Sequence, residues 1–395
     1  MRFDDTTVEF GVFGTDRHLM HPIFQWLDYR YKDYGAFVRA VDDRVIGGYR
    51  NRLVAGVNLL NGSIDNQQFA NLAGQKGALL SSSIDRSRNT SVYIEDSFYF
   101  LPNVAAIAGT QFLYATRNRQ DRFLSDGDQS GRTEFGLWSP KGGLLWQIDP
   151  AWQAFANVSR SAEVPSYGES ANGPGIPYIP FTSIRPQRAT TYEIGTRARR
   201  PDATWELTYY RAQIDNELLC LFSAFGNCNV TNADRTMHQG IEAGAGAAIF
   251  RNLFERGDRP DRLWLNVAYT FNDFRFVNDP VFGNNLLPGA PRHFVRAELL
   301  YKHPSGFYIG PNLEWVPQGY YADSANTLST DAYAIYGMKA GFDDGGRYSG
   351  YIDARNIGNK VYIASAAILD RANANSPLFE PGFGRAVYAG FKVRW

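Results

Sequence analysis

FEPGFGRAVYAGFKVRW, residues 379–395, decides the fold. Its last ten residues alternate. Val387, Ala389, Phe391, Val393 and Trp395 fall on one side of an extended chain, and Ala386, Tyr388, Gly390, Lys392 and Arg394 on the other. Successive side chains of a strand point to opposite faces, so one face is apolar and the other mixed and partly charged. The chain then stops on an aromatic residue. A strand that closes a membrane barrel has this form: its apolar face meets lipid and its terminal aromatic sits at the interface.

The same pattern runs back along the chain. Leu263, Leu265, Val267, Tyr269 and Phe271 make one wholly apolar face, and Trp264, Asn266, Ala268, Thr270 and Asn272 make the other. A Lys or Arg at mid-membrane on a lipid face costs about 2–4 kcal/mol, and none occurs in the apolar series. A soluble antiparallel sandwich also alternates, but its strands run to about 5–6 residues, half the length of the alternating segments here. The expected fold is all-β, an antiparallel transmembrane β-barrel of about sixteen strands. Strands are read at 3–13, about 24–41, and Arg50 to Leu60. They continue at Ser91 to Phe100, Val104 to Arg117, 133–148, 151–161, about 189–199 and 203–216. The remainder lie at about 235–250, 261–276, 292–303, 306–317, 331–342 and 347–358, with the closing strand last. Eight long connections alternate with seven short ones, as expected where one rim faces outward and the other the periplasm. The segment containing Thr15 to His18, the Gly/Ser/Asn-rich stretch 61–87 and the proline-rich stretch 162–188 are read as loops.

Composition agrees. The 395 residues include 27 Phe, 23 Tyr, 8 Trp and 38 Gly, a bias toward strands and tight turns over helices. Forty basic and forty acidic residues give zero formal net charge, which excludes a nucleic-acid binder driven by bulk charge. No apolar run is long enough for a transmembrane helix. The mean hydropathy of -0.34 does not separate a barrel from a soluble protein, because every second barrel residue faces the lumen. The two cysteines, Cys220 and Cys228, fit a small disulfide-closed outer loop in an oxidising compartment, two free thiols being the alternative. No secretory signal precedes Arg2, so an exported protein with this sequence is expected to have further N-terminal residues.

Several local motifs resemble those of TonB-dependent outer-membrane receptors. The closing PGFGR and its aromatic strand is similar to that family's terminal segment. Ala354 to Tyr362 (ARNIGNKVY), Ser139 to Trp146 (SPKGGLLW), Ser159 to Glu169 (SRSAEVPSYGE) and Arg185 to Gly195 (RPQRATTYEIG) resemble further family segments in the family's order. The resemblance implies a 22-stranded barrel with an N-terminal plug that imports ferric siderophores or other scarce nutrients, energised by the TonB complex of the inner membrane. Against that pattern, residues 1–395 read as one partial barrel of about sixteen strands, without a plug. The expected partners are outer-membrane lipid, the TonB complex through a plug, and a metal chelate or other small nutrient; no nucleic acid, cofactor or catalytic site is expected. The alternative is an unplugged, porin-like passive diffusion pore.

Candidate ligand-binding residues come from two loop readings. Arg17, His18 and His21 put metal-ligating and cationic groups together. Tyr167, Tyr178, Arg185 and Arg188 combine aromatic faces with guanidinium groups able to grip a planar or anionic chelate. Asp126-Gly127-Asp128-Gln129-Ser130-Gly131 begins like a calcium loop, but position twelve is Leu137 rather than Glu, and no metal site is assigned. Gly240, Gly244 and Gly246 lack the spacing of a dinucleotide fingerprint and lie in a strand.

Overall fold

The computed structural model describes residues 2–166, 184–222, 228–255, 257, 260–373, 375–376 and 378–394. After a two-residue stub, β1 (Arg2–Phe3), come β2 (Thr6–Pro22), β3 (Gln25–Ile46), β4 (Tyr49–Leu72), β5 (Gln75–Leu101), β6 (Val104–Asp121) and β7 (Gly131–Asp149). A single 3-10 turn, Leu124–Asp126, separates the last two. β8 (Trp152–Glu163), β9 (Gln187–Arg199), β10 (Ala203–Phe222), β11 (Cys228–Arg251), β12 (Arg262–Phe276), β13 (His293–Lys302) and β14 (Phe307–Val316) follow. The chain ends with β15 (Tyr333–Asp343), β16 (Tyr348–Arg355), the short pair β17 (Ile363–Ala366) and β18 (Phe379–Pro381), and β19 (Ala386–Val393). β2 through β16 and β19 make sixteen strands of eight residues or more, and the described residues contain no α-helix. They fall into two compact units, Met1–Trp146 with Ala156–Tyr192 and Ala212–Thr236, and Gln147–Phe155 with Glu193–Arg211 and Met237–Trp395.

In the first unit, β2 to β7 pair antiparallel, each with its neighbour in sequence, and their register builds an unbroken apolar row. Phe10 lies opposite Val38, Val38 opposite Val57, Val57 opposite Val92, Val92 opposite Phe112, and Phe112 opposite Trp138. All but the half-buried Phe112 are exposed. A row of exposed Val, Phe and Trp six strands wide has no place against water and fits a bilayer. Aromatic side chains mark its edges on the same face: Tyr49, Phe98, Phe100 and Trp146 toward the turns at 47–48 and 102–103, Tyr34 and Tyr114 toward the other end. On the opposite face small residues meet rings. A Cβ on Gly35 would strike the Phe13 ring, one on Gly11 the Phe37 ring, and one on Gly56 the Tyr93 ring. Glycine there lets an aromatic side chain lie flat on its neighbour's backbone.

The second unit repeats the design. Leu263, Tyr301, Ile309, Ala340, Ile352 and Ala389 stand opposite one another in turn across β12 to β16 and β19. The intervening residues carry the polar groups: Asn266 opposite Glu298 opposite Asn312, Arg296 opposite Glu314, and Lys339 opposite Asp353 opposite Tyr388. The face division read from Leu263 onward and from Ala386 onward is therefore the one the register enforces. Trp395 lies outside the described residues.

Two expected loops are strand. β2 and β3 run on through Thr15 to His21, turning only at Ile23 and Phe24, and residues 61–87 are the far halves of β4 and β5. The turn there is Ala73-Gly74, both with positive φ (52° and 84°), as a tight primed hairpin turn requires. The Asn, Ser and Gln residues of 61–87 read as loop because both faces are polar. Backbone pairing does not need an apolar face, however, and the ladder continues past the bilayer band, with bulges only near the turn. His18 and His21 consequently stand on a strand rather than a loop tip.

Candidate functional site

The extended half of the first unit carries a polar-aromatic wall on the face opposite the apolar row. Alternation places Arg17, Leu19 and His21 of β2 there with Tyr29, Tyr31 and Asp33 of β3, Asn66 and Gln68 of β4, Asp85 of β5 and Arg119 of β6. The Arg17 guanidinium lies over the Tyr31 ring, 4.8 Å from its centre, and 4.0 Å from the Asp33 carboxylate. Tyr29 meets Tyr31 edge to face at 6.2 Å. Gln68 donates its amide N–H to the Tyr29 hydroxyl at 3.0 Å. Beneath them Arg119 grips Asp85 through two hydrogen bonds, 2.9 and 3.2 Å, with both side chains at most a tenth exposed. A buried pair of this geometry fixes the wall's shape, because loss of either partner strands a charge. Neighbouring Arg117 is buried and donates to the Pro165 carbonyl and to Asn89, both at 2.9 Å, tying the start of the 164–186 segment to this wall. The wall's exposed parts are a guanidinium, tyrosine edges and amides, which suit a planar, anionic or hydroxyl-rich ligand.

The structure separates the candidate residues. Arg17 and His21 share the wall. His18 points from the other face, where its Nε2 lies 2.7 Å from Asp28, which also pairs with Lys76 at 2.7 Å. Arg185 is exposed, its backbone held to Asn232 on both sides at 3.0 and 2.9 Å. Arg188 is exposed at the start of β9, on the alternation that carries the exposed Tyr192 and Ile194. Tyr167 and Tyr178 lie outside the described residues. Cys220, at the end of β10, is disulfide-bonded; Cys228 opens β11, and its side chain is not among those described. Tyr29, Tyr31, Asp85 and Arg119 escaped the sequence reading. The signal for the two tyrosines was the run Tyr29-Arg30-Tyr31-Lys32, in which aromatics and cations alternate at the strand period, while Asp85 and Arg119 carried none.

The second unit holds a cavity of about 1080 Å³ against its polar face. Its charges are largely paired. Arg296 reaches Glu314 at 2.7 and 3.0 Å, Lys339 reaches Glu298 at 3.3 Å, and Arg355 reaches Asp353 at 2.7 Å while lying over the Tyr388 ring at 4.7 Å. Arg197 donates to Gln153 at 2.9 Å. Pairing of this kind weakens the field that the cavity's charges set up.

Above this unit's strands three connections are knitted together through Asp323, which is fully buried. Its carboxylate accepts from the backbone N–H of Thr327 (2.8 Å), Leu328 (3.1 Å) and Ala372 (3.0 Å), and from the Thr327 hydroxyl. Asn326 and Asn285 extend the network to 277–292: Asn326 donates to the Leu286 carbonyl and accepts from its N–H, and Asn285 donates to the Ser324 carbonyl, all at 2.9 Å. Burial pushes the Asp323 carboxyl up, but the Thr327 hydroxyl and the three amides outweigh it and hold the group below the ordinary carboxylate range.

Known proteins share this fold. A family model for the TonB dependent receptor-like β-barrel matches residues 3–357. Among solved structures, the chain is similar to the ferric yersiniabactin uptake receptor FyuA from Yersinia pestis, at 14% identity and a TM-score of 0.72, covering 99% of this chain and 59% of that one. It is similar to the ferric citrate transporter FecA at 16% identity and 0.76, covering 100% and 60%. It is also similar to the copper transporter OprC at 14% identity and 0.72, covering 98% and 62%. The chain thus spans about three fifths of the length of the structures it matches. With the family's segments in order, a lipid-facing row on each unit and a polar face behind it, the chain belongs to the TonB-dependent receptor β-barrel family of the outer membrane.

Proposed function

We propose that this chain is barrel wall of a receptor that captures a scarce nutrient outside the cell and imports it by coupling to the TonB complex, the nutrient being a ferric siderophore or a similar iron chelate. The observation that carries this reading is the wall of Arg17, His21, Tyr29 and Tyr31, held in place by the buried Asp85–Arg119 pair where the strands run on past the apolar row. At this end β2 to β5 run far past the apolar row, while at the other end the turns 47–48 and 102–103 follow it closely, as at a periplasmic rim, so the wall faces the outside, where ligand arrives. Its chemistry recognises aromatic and anionic oxygen ligands without any covalent step. Ferric yersiniabactin and ferric citrate are what two of the similar structures take, by their names, and copper is what a third transports. The plug and its coupling segment, implied by the family, supply gating and energy.

The test is fluorescence titration of the full receptor in detergent with ferric citrate, a ferric catecholate, a ferric hydroxamate and Cu²⁺, followed by ⁵⁵Fe uptake into cells with and without an active TonB complex. Binding of one ferric chelate, weakened about tenfold or more by Arg17→Ala with Tyr31→Ala, and uptake that stops without TonB are expected. Retention of Cu²⁺ alone would replace the iron reading. A steady large conductance in planar bilayers, with no chelate bound, would replace it with a passive pore.

A further inference from the structure

The polar face of the second unit carries two cations without a counter-charge, at the end where its connections are shorter. Connections 252–261, 303–306 and 344–347 lie at that end, as at a periplasmic rim, and 277–292, 317–332 and 356–385 at the other. Arg262 opens β12, Lys302 closes β13, and the register sets the two directly opposite each other. Trp264, next on the same face, receives both. The Arg262 guanidinium lies 5.5 Å from its ring centre and the Lys302 ammonium 5.3 Å. The indole is itself fixed: its N–H donates to the Asn266 amide oxygen at 2.7 Å, and a Cβ on Gly246 would crowd its edge.

Like charges directly opposite on paired strands repel, and the face of a ring offsets only part of that cost. The side chains of Arg262 and Lys302 make no hydrogen bond or ion pair among the described residues. The acids nearby are committed elsewhere. Asp261 accepts from the backbone N–H of Leu253 and Phe254 at 2.8 and 2.9 Å and from the Tyr301 hydroxyl at 2.9 Å. Glu298 takes Lys339 at 3.3 Å, Glu255 lies 3.5 Å from the His303 ring, and Asp343 lies 3.9 Å from Arg394. The charges that act on Lys302 are Arg262, Lys339 and Glu298, two cations against one anion. The cavity of this unit lies beside the pair: Asn266, Glu298 and Lys339, which line it, stand on the same face slightly farther from the short connections.

We infer that Arg262, Trp264 and Lys302 form a station for a compact polyanion, a small molecule carrying several carboxylate or phosphate oxygens, at the periplasmic end of this face. The guanidinium fork and the ammonium each take an anionic group, and the indole between them holds the two cations in place. The bound anion supplies the counter-charge that the strands do not. The station's place on a route rests on the import reading above: it receives an anionic nutrient or chelator that has left the outer wall and has yet to reach the periplasm.

Tryptophan emission of the full receptor in detergent tests this, because Trp264 lies against both cations. The probes are iron-free citrate and inorganic phosphate, with sodium chloride at equal ionic strength as control. Citrate or phosphate is expected to change the emission saturably where sodium chloride does not, and the one that acts at lower concentration identifies the source of the anion. The change is expected to vanish in Trp264→Phe and to need about tenfold more anion in Lys302→Gln. It is expected to persist in Lys302→Arg, and in Arg17→Ala with Tyr31→Ala, which alter the outer wall alone. Lys302→Gln relieves the repulsion, so its denaturant midpoint is expected to hold or rise. An equal response to sodium chloride, no response to either oxyanion, or an unchanged response in Lys302→Gln overturns the proposal. The titration needs no transport, so a passive pore would refute the import reading and leave the station standing.

Discussion

Val57 and Asp323 show how much one side chain decides here. Val57 sits mid-row on the lipid face between Val38 and Val92. Val57→Arg places a charge where water cannot follow and is expected to cost about 2–4 kcal/mol in denaturant unfolding from lipid vesicles. An unchanged midpoint would show that the row does not meet lipid. Asp323→Ala leaves the amides of Thr327, Leu328 and Ala372 without their acceptor, each a loss of about 1–3 kcal/mol when buried. Amide hydrogen exchange across 317–332 is expected to rise sharply while exchange in β12 to β14 stays slow. The group's lowered pKa also sets a pH dependence. Its stabilising effect is fully present above the ordinary carboxylate value of about 3.9 and is lost as pH falls through the lower, folded value. Protease resistance of these connections should therefore hold from pH 7 to 5 and fail only below about pH 4. Failure near pH 6 would assign the clamp to another group.

The β4–β5 hairpin separates what pattern can reveal from what it cannot. Within the bilayer band one face must be apolar, so Val57 and Val92 announce their strands and the faces can be assigned from residues alone. Beyond the band both faces are wet, alternation vanishes, and Ser63 to Arg86 looks like loop although the two strands stay paired apart from bulges near the turn. The same blindness hid the wall at Tyr29, Tyr31, Asp85 and Arg119, whose partners come from four different strands and meet only through register. Arg17 and His21 were legible as chemistry but not as neighbours of those residues. His18, one position from Arg17, faces the other way because a strand reverses its side chains at every step. If the far half of the hairpin only builds that wall, removing 67–82 and closing with Asn-Gly leaves the membrane part intact. The shortened chain is expected to keep its heat-modifiable mobility on gels and its strand circular dichroism, but to lose binding of any chelate the wall grips. Loss of folding instead would make the hairpin a structural requirement of the band.

Over the molecule as a whole, apolar rows on both units with zero net charge leave little to keep the chain dispersed in water. Removal of detergent is expected to give aggregates by sedimentation, and a monodisperse monomer in plain buffer would sink the membrane assignment. The sixteen long strands and their connections also divide the chain's freedom to vary. Connections 277–292, 317–332 and 356–385 share one fastener, for Asp323 takes donors from two of them while Asn326 and Asn285 hold the third. An insertion in any of the three must leave those donors in register or release its neighbours as well. The three segments are consequently one mechanical unit, and a binder that displaces one of them must work against all three at once.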